Sequence, residues 1–286
     1  EKPLLGWGPE NYNLLFNAHY DPMLVNQEPW FDRAHNVIFD IGSTTGFFGL
    51  ILYFGIFLSA LWLLFKRWRD ESVSFWTFAI FSSMLVSHLL QNLFVFDTLT
   101  SLTLLFLVFA FIHSQGKQFL EIKDQAKWSL PLLFVGFLIV CPMFYLGSWK
   151  PFQENRIGRA GFDAFAAAED DKALRFIEEA LSYDTYGNID VRRSVAEYVF
   201  EFLKQGGERN PESLKRVIDY AILKMEENIR EKPKDVKWYM YQGELYNLGA
   251  IVLGKPDPIY AKNAERRFSE AKELSPARPQ IYLEIA

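Results

Sequence analysis

From Ile41 to Phe65 the chain carries no acidic or basic side chain, and from Val73 to Ile112 the only titratable ones are His88 and Asp97. About 20 apolar residues cross the hydrocarbon core of a bilayer as a helix, so these runs constrain the fold more than any other feature. A third uncharged run extends from Ser129 to Trp149. The run from Val73 has room for two helices of roughly 20 residues, with a tight turn near Asn92 to Ser101. Four spans are therefore expected, over about 41–65, 73–93, 95–113 and 129–149.

The character of the chain changes after Trp149, where 24 of the 35 acidic and 22 of the 30 basic residues lie. A membrane half is thus joined to a water-soluble half, and the mean hydropathy of -0.01 averages two unlike parts. The net charge of -5 is spread over interspersed signs. No basic patch for nucleic acid is expected from it. Cys141 is the only cysteine. Neither a disulfide framework nor a cysteine metal site is expected within one chain, and no cofactor or metal is implied.

Short loops rich in Lys and Arg stay cytoplasmic. Lys66, Arg67 and Arg69 follow the first run, and Lys117, Lys123 and Lys127 precede the last. Residues 1–40, the turn near Asp97 and everything after Trp149 are then expected on the outer face. Trp68, Trp76, Trp128 and Trp149 suit interfacial anchoring, and Pro131 and Pro142 are expected to kink the last span. The chain opens Glu-Lys-Pro on a hydrophilic loop poised to meet a membrane. This reads as the C-terminal part of a longer protein.

Beyond Lys150 the apolar spacing becomes three-and-four, with breaks at Tyr186-Gly187-Asn188, Gly206-Gly207 and Pro233. An array of amphipathic helices is expected. Tyr239, Gly243, Tyr246, Ala264, Phe268, Ala271 and Pro276 follow the tetratricopeptide order if Gly254 to Lys262 is an insertion, and Tyr282 begins a further copy. Weaker copies involve Gly161, Ala173 and Ala180, then Ala221, Met225 and Pro233. Small residues let paired helices approach while aromatics fill the spaces between. An unrelated stack of helical hairpins fits the same spacing, and either is a scaffold. The segment has no metal-spaced cluster and no glycine-rich phosphate loop. The expected fold class is all-α: a loop over 1–40, a membrane domain over 41–149 and a helical-repeat domain over 150–286.

Chemistry concentrates at the mouth of the first span, in Phe31-Asp32-Arg33-Ala34-His35-Asn36. His35 can accept a proton near neutral pH, and Arg33 is a permanent cation suited to phosphate. In an extended segment, residues two apart share a side. The alternative is interfacial: His35 and Arg33 touching lipid headgroups, with Asn36, Asp40 and Ser43 starting the helix. Gly6, Gly8 and Pro9 in GWGPENY form a turn that could shape a groove wall, and His19 and Tyr20 share that loop. His88, Gln91 and Asn92 lie at near-helical spacing in an apolar setting and are expected to bond other helices. Asp97 reads as a turn starter and secondarily as a substrate contact.

The GWGPENY turn, RAHN leading into IGSTTGFFGLILY, and QNLFVFDTLTS together resemble the C-terminal half of the O-antigen ligase and polymerase superfamily. The soluble half resembles the tetratricopeptide tails of some members. That resemblance implies transfer of a glycan from an undecaprenyl-diphosphate carrier to an acceptor hydroxyl of a lipid or protein, at the outer face of the cytoplasmic membrane, with no metal or nucleotide sugar. It implies His35 as general base and Arg33 as diphosphate contact, with Asp32 and Asn36 in supporting positions. Family members have about a dozen spans, so the given chain is expected to be inactive alone. A noncatalytic membrane-anchored repeat scaffold, its tail recruiting a protein partner, is the competing reading. A transporter would need polar residues along several spans, and only His88, Gln91 and Asn92 offer any.

Overall fold

The computed structural model describes residues 2–26, 30–115, 126–205, 210–252 and 258–285. Among these the regular structure is entirely helical. Lys117, Lys123, the Gly206-Gly207 break and residues 254–257 of the Gly254 to Lys262 insertion lie outside the described residues. The chain divides into two compact units, one of residues 1–16 and 26–125, the other of residues 17–25 and 126–286.

The first unit contains most of α1 (Tyr12–Ala18), then α2 (Val37–Arg69), α3 (Phe75–Gln91) and α4 (Leu99–Ser114). Phe57, Leu64, Leu85, Leu105 and Ile112 form its buried core. Stacked rings join the helices: Trp68 on Phe78 at 5.0 Å and Phe81 on Phe111 at 4.2 Å. At the basic end of α2, the Arg67 guanidinium donates to the last carbonyls of α4, those of Ile112 and His113. A cation there also complements the negative end of the helix dipole.

The uncharged run is not one unbroken helix. Gly46 adopts φ 70 and ψ -166 inside α2, and the helical ladder stops there. The freed backbone groups are satisfied by the N-terminal segment: Trp7 and Gly8 donate to the Ser43 and Thr44 carbonyls at 2.9 and 2.8 Å. Phe47 and Phe48 in turn donate to Pro3 and Leu4 at 2.9 and 3.4 Å. A side chain on Gly6 or Gly46 would fall on the opposing backbone. The helix on which the 41–65 span was expected is thus interrupted at Gly46.

α3 and α4 are 17 and 16 residues long. At 1.5 Å per residue they measure roughly 25 Å, short of the roughly 30 Å hydrocarbon core. Their polar ends explain it: Ser74 caps the start of α3, Asn92 closes it, and Thr98 with Ser101 forms a capping box on α4.

After residues 17–25, the second unit continues with α5 (Ala126–Phe144), a wide π turn over Tyr145–Trp149 and α6 (Lys150–Ala166). The helix runs through Trp149 without a break, so the boundary read from charge falls inside a continuous element. Among the described residues two helices are long and apolar enough to cross a membrane: Val37–Arg69, with 17% of its apolar window buried, and Pro131–Ala166, with none buried. Such low burial separates them from the core helices of a soluble protein and leaves an apolar surface that needs a nonaqueous surrounding.

There follow α7 (Asp170–Leu181), α8 (Asn188–Lys204), α9 (Pro211–Glu231), α10 (Val236–Val252), α11 (Pro258–Leu274) and α12 (Pro279–Ile285). Consecutive helices pack around Phe165, Ile177, Val195, Ile218, Met225 and Leu245. Two pairs use the same device. Gly161 of α6 admits Ile177 of α7, and Gly243 of α10 admits the Phe268 ring of α11. Polar pins fix the stack: buried Arg192 binds Glu227 and Glu231 at 2.9 and 2.6 Å, and Gln242 donates to the Ile222 carbonyl at 2.8 Å. Arg278, with no exposed surface, donates to Asn17 Oδ1 at 2.6 Å and lies 4.2 Å from the Tyr20 ring centre. Ser275 adds a 2.6 Å bond to the Asn17 carbonyl. Burial holds the Arg278 side chain below its usual range, at about 10.

Candidate functional site

The chain reaches α2 through an extended Asn36, φ -156, which caps the helix by accepting from Ile38 and Phe39 at 2.9 and 3.3 Å. Asn36 also donates to the Leu93 carbonyl at 3.0 Å, and Val37 donates to the Asn92 carbonyl at 2.8 Å. These bonds seat the start of α2 on the connection between α3 and α4.

One turn into α2, buried Asp40 accepts from Arg33 Nη2 at 2.9 Å and from the Ala34 amide at 3.3 Å. Residues 33–40 are thereby closed into a loop. The Arg33 side chain keeps 39% exposure, and a guanidinium has five donors, so the carboxylate leaves several for another anion. Arg33 lies 5.2 Å from the Phe96 ring centre. The exposed His35 ring meets the same Phe96 edge-on at 5.5 Å and Phe31 at 6.1 Å. Imidazole and guanidinium therefore converge on one aromatic side chain. Asp32 is exposed beside them.

Immediately after Phe96, Asp97 gathers a second polar group. Its carboxylate accepts from Asn92 at 2.8 Å and Ser101 at 2.9 Å, and lies 3.3 Å from His88 Nε2. Asn92 is almost fully buried; its amide also lies 3.2 Å from His88 Nε2 and 3.5 Å from the Tyr53 hydroxyl of α2. The His88 nitrogen can donate to Asp97 when it carries a hydrogen or accept from Asn92 when it does not, but it cannot do both at once. Unpaired polar groups in an apolar setting are costly, and this network gives its members partners drawn from α2, α3, α4 and the α3–α4 connection. Beside it lies a cavity of about 260 Å³ lined in part by His88, Gln91 and Ser101.

The structure brings Arg33, His35 and Asn36 onto one connection and leaves Asp32 outside their contacts. Gln91 lines the cavity instead of joining the network. His19 is exposed, and Tyr20 packs with Arg278 in the second unit. Sequence reasoning read Asp40 only as a helix-starting residue and gave Phe96 no role. Asp40 anchors Arg33, and Phe96 is the surface Arg33 and His35 share. The signal for Asp40 was a carboxylate seven residues after an arginine; Phe96 carried none. Among the described residues no group of three or more metal-binding side chains occurs. Comparison with protein-family models, curated proteins and solved structures gives no match to this chain.

Proposed function

We propose that the first unit carries the transfer site of a membrane glycosyltransferase of O-antigen ligase type. The observation that carries this reading is the convergence of His35 and Arg33 on Phe96, with Arg33 held by buried Asp40. In the proposed reaction His35 takes the proton of an acceptor hydroxyl as its oxygen bonds the anomeric carbon. The bond from that carbon to the undecaprenyl diphosphate breaks, and its electron pair leaves with the phosphate. Arg33 binds the growing charge through donors not used by Asp40. Asn36 holds the start of the helix, and Asp32 keeps only the supporting role that the resemblance implies.

In this reading four segments cross the cytoplasmic membrane, with α3 and α4 fitted by local thinning around a short helix pair. Residues 1–40 and the tail from Lys150 lie outside. The equivalent Gly161 and Gly243 contacts support tetratricopeptide-like repeats, a stack that orients an acceptor or recruits a protein partner.

The test is transfer from a lipid-linked glycan by the full-length protein in proteoliposomes. His35→Ala should lower turnover by about 10²–10⁴, the usual contribution of a general base. Arg33→Ala should lose more than Arg33→Lys, because lysine keeps charge without the planar fork. Unchanged turnover in His35→Ala would defeat the transfer site and favour a membrane-anchored scaffold.

A further inference from the structure

In the second unit a groove of about 700 Å³ is lined by α8, α10 and α12. Phe200 and Leu203 supply its α8 side, and Leu248 and the strongly exposed Ile251 its α10 side. Glu244, Asn247, Leu248 and Ile251 fall at i, i+3, i+4 and i+7, so one stripe of α10 faces the groove. Glu244 is joined there by Glu284 of α12, which accepts only a 3.4 Å bond from Asn247. Lys204 also lines the groove, yet among the described residues neither carboxylate pairs with it or with any other cation.

We propose that this groove is a docking surface for a polypeptide segment that places one Lys or Arg between apolar side chains. Charge complementarity selects the occupant. Among the described residues two carboxylates lie together with no ion pair while apolar side chains flank them, so a cation would relieve repulsion and its neighbours would cover Leu203, Leu248 and Ile251. Burial and the Glu284 charge already push the Glu244 carboxyl up to about 7, the state of a group lacking its partner. Elsewhere in the stack equivalent carboxylates are neutralised, as Glu227 and Glu231 are by Arg192. This deepens the reading of the tail as an interaction stack and rests on it. Its failure is separable from that of the transfer site, because binding is measured with no glycan present.

The experiment uses the full-length protein in nanodiscs and a fluorescent library of acetylated, amidated octapeptides. The central position is Lys, Arg or uncharged norleucine, and the others vary over Leu, Phe, Ser and Gly. Cation-centred peptides should bind at least about tenfold tighter than norleucine-centred ones, equal to about 1.4 kcal/mol. The preference should vanish in Glu244→Gln with Glu284→Gln and persist in Glu201→Gln, an exposed α8 position outside the groove. Equal binding of both peptide classes would overturn the proposal, as would absence of binding or a preference that survives the double substitution. Spermidine binding without peptide binding would place a small amine there instead and overturn it too.

Discussion

Gly46→Ala tests whether the break in α2 is set by backbone pairing with the N-terminal segment. At φ 70 and ψ -166 the residue occupies a region essentially reserved for glycine, where a side chain costs about 1–3 kcal/mol. The added methyl would also fall on the Leu4 carbonyl. The segment must then lift, losing the bonds between Trp7 and Ser43, Gly8 and Thr44, Phe47 and Pro3, and Phe48 and Leu4. Counting the strain and only two bonds, each about 0.5–1.5 kcal/mol net, gives about 4 kcal/mol at mid-range. Such a change shifts a local opening equilibrium by nearly three decades. Hydrogen exchange read by mass spectrometry on the full-length protein in nanodiscs should show protection of the Trp7 and Gly8 amides reduced by about 10²–10³. Gly55→Ala is the control, since nothing lies within 4 Å of the added carbon and its φ is ordinary. If Gly46→Ala left Trp7 and Gly8 protected within about threefold of the parent, the pairing would not hold the segment and the reasoning would fail.

Gly243→Ala places a carbon 2.7 Å from the Phe268 ring and should lower the stability of the helical stack by about 1–3 kcal/mol, read by thermal unfolding; Gly136→Ala, with open space around it, should not. Arg278→Ala should deprotect the Asn17 and Tyr20 amides in hydrogen exchange, because a buried Asn loses its charged partner at a cost of about 1–3 kcal/mol; unchanged protection would refute the anchor. Glu244 titrates near 7 in the folded protein, above its ordinary 4.5. The folded state therefore binds the proton more tightly, and this group's contribution is present below about 4.5 and is lost as pH rises through 7. Parent stability should fall relative to Glu244→Gln between pH 5 and 8, and parallel pH profiles would exclude the effect.

Uncharged runs, capping residues and three-and-four spacing were enough to predict an all-helical chain with apolar helices in its first half and amphipathic ones in its second. These are local properties: a bilayer-length apolar segment and a repeated apolar stripe each declare their surroundings residue by residue. Asn36 could be read as a cap because its oxygen serves amides two and three positions ahead. The site was legible only as a group of residue types, with Arg33 and His35 two apart in a segment of unknown shape.

Tertiary structure decided the rest, because backbone and polar groups choose partners by distance in space. Hydropathy averaged straight over Gly46, whose freed amides and carbonyls are answered some forty residues upstream. Asp97 looked like a turn starter until His88, Asn92 and Ser101 were brought to its carboxylate. Phe96 had no signature at all, being one phenylalanine in an apolar run, yet it is the ring that Arg33 and His35 share. Arg278 carried no signal in the sequence, and only the fold set Asn17 and Tyr20 against it, where burial demands a partner.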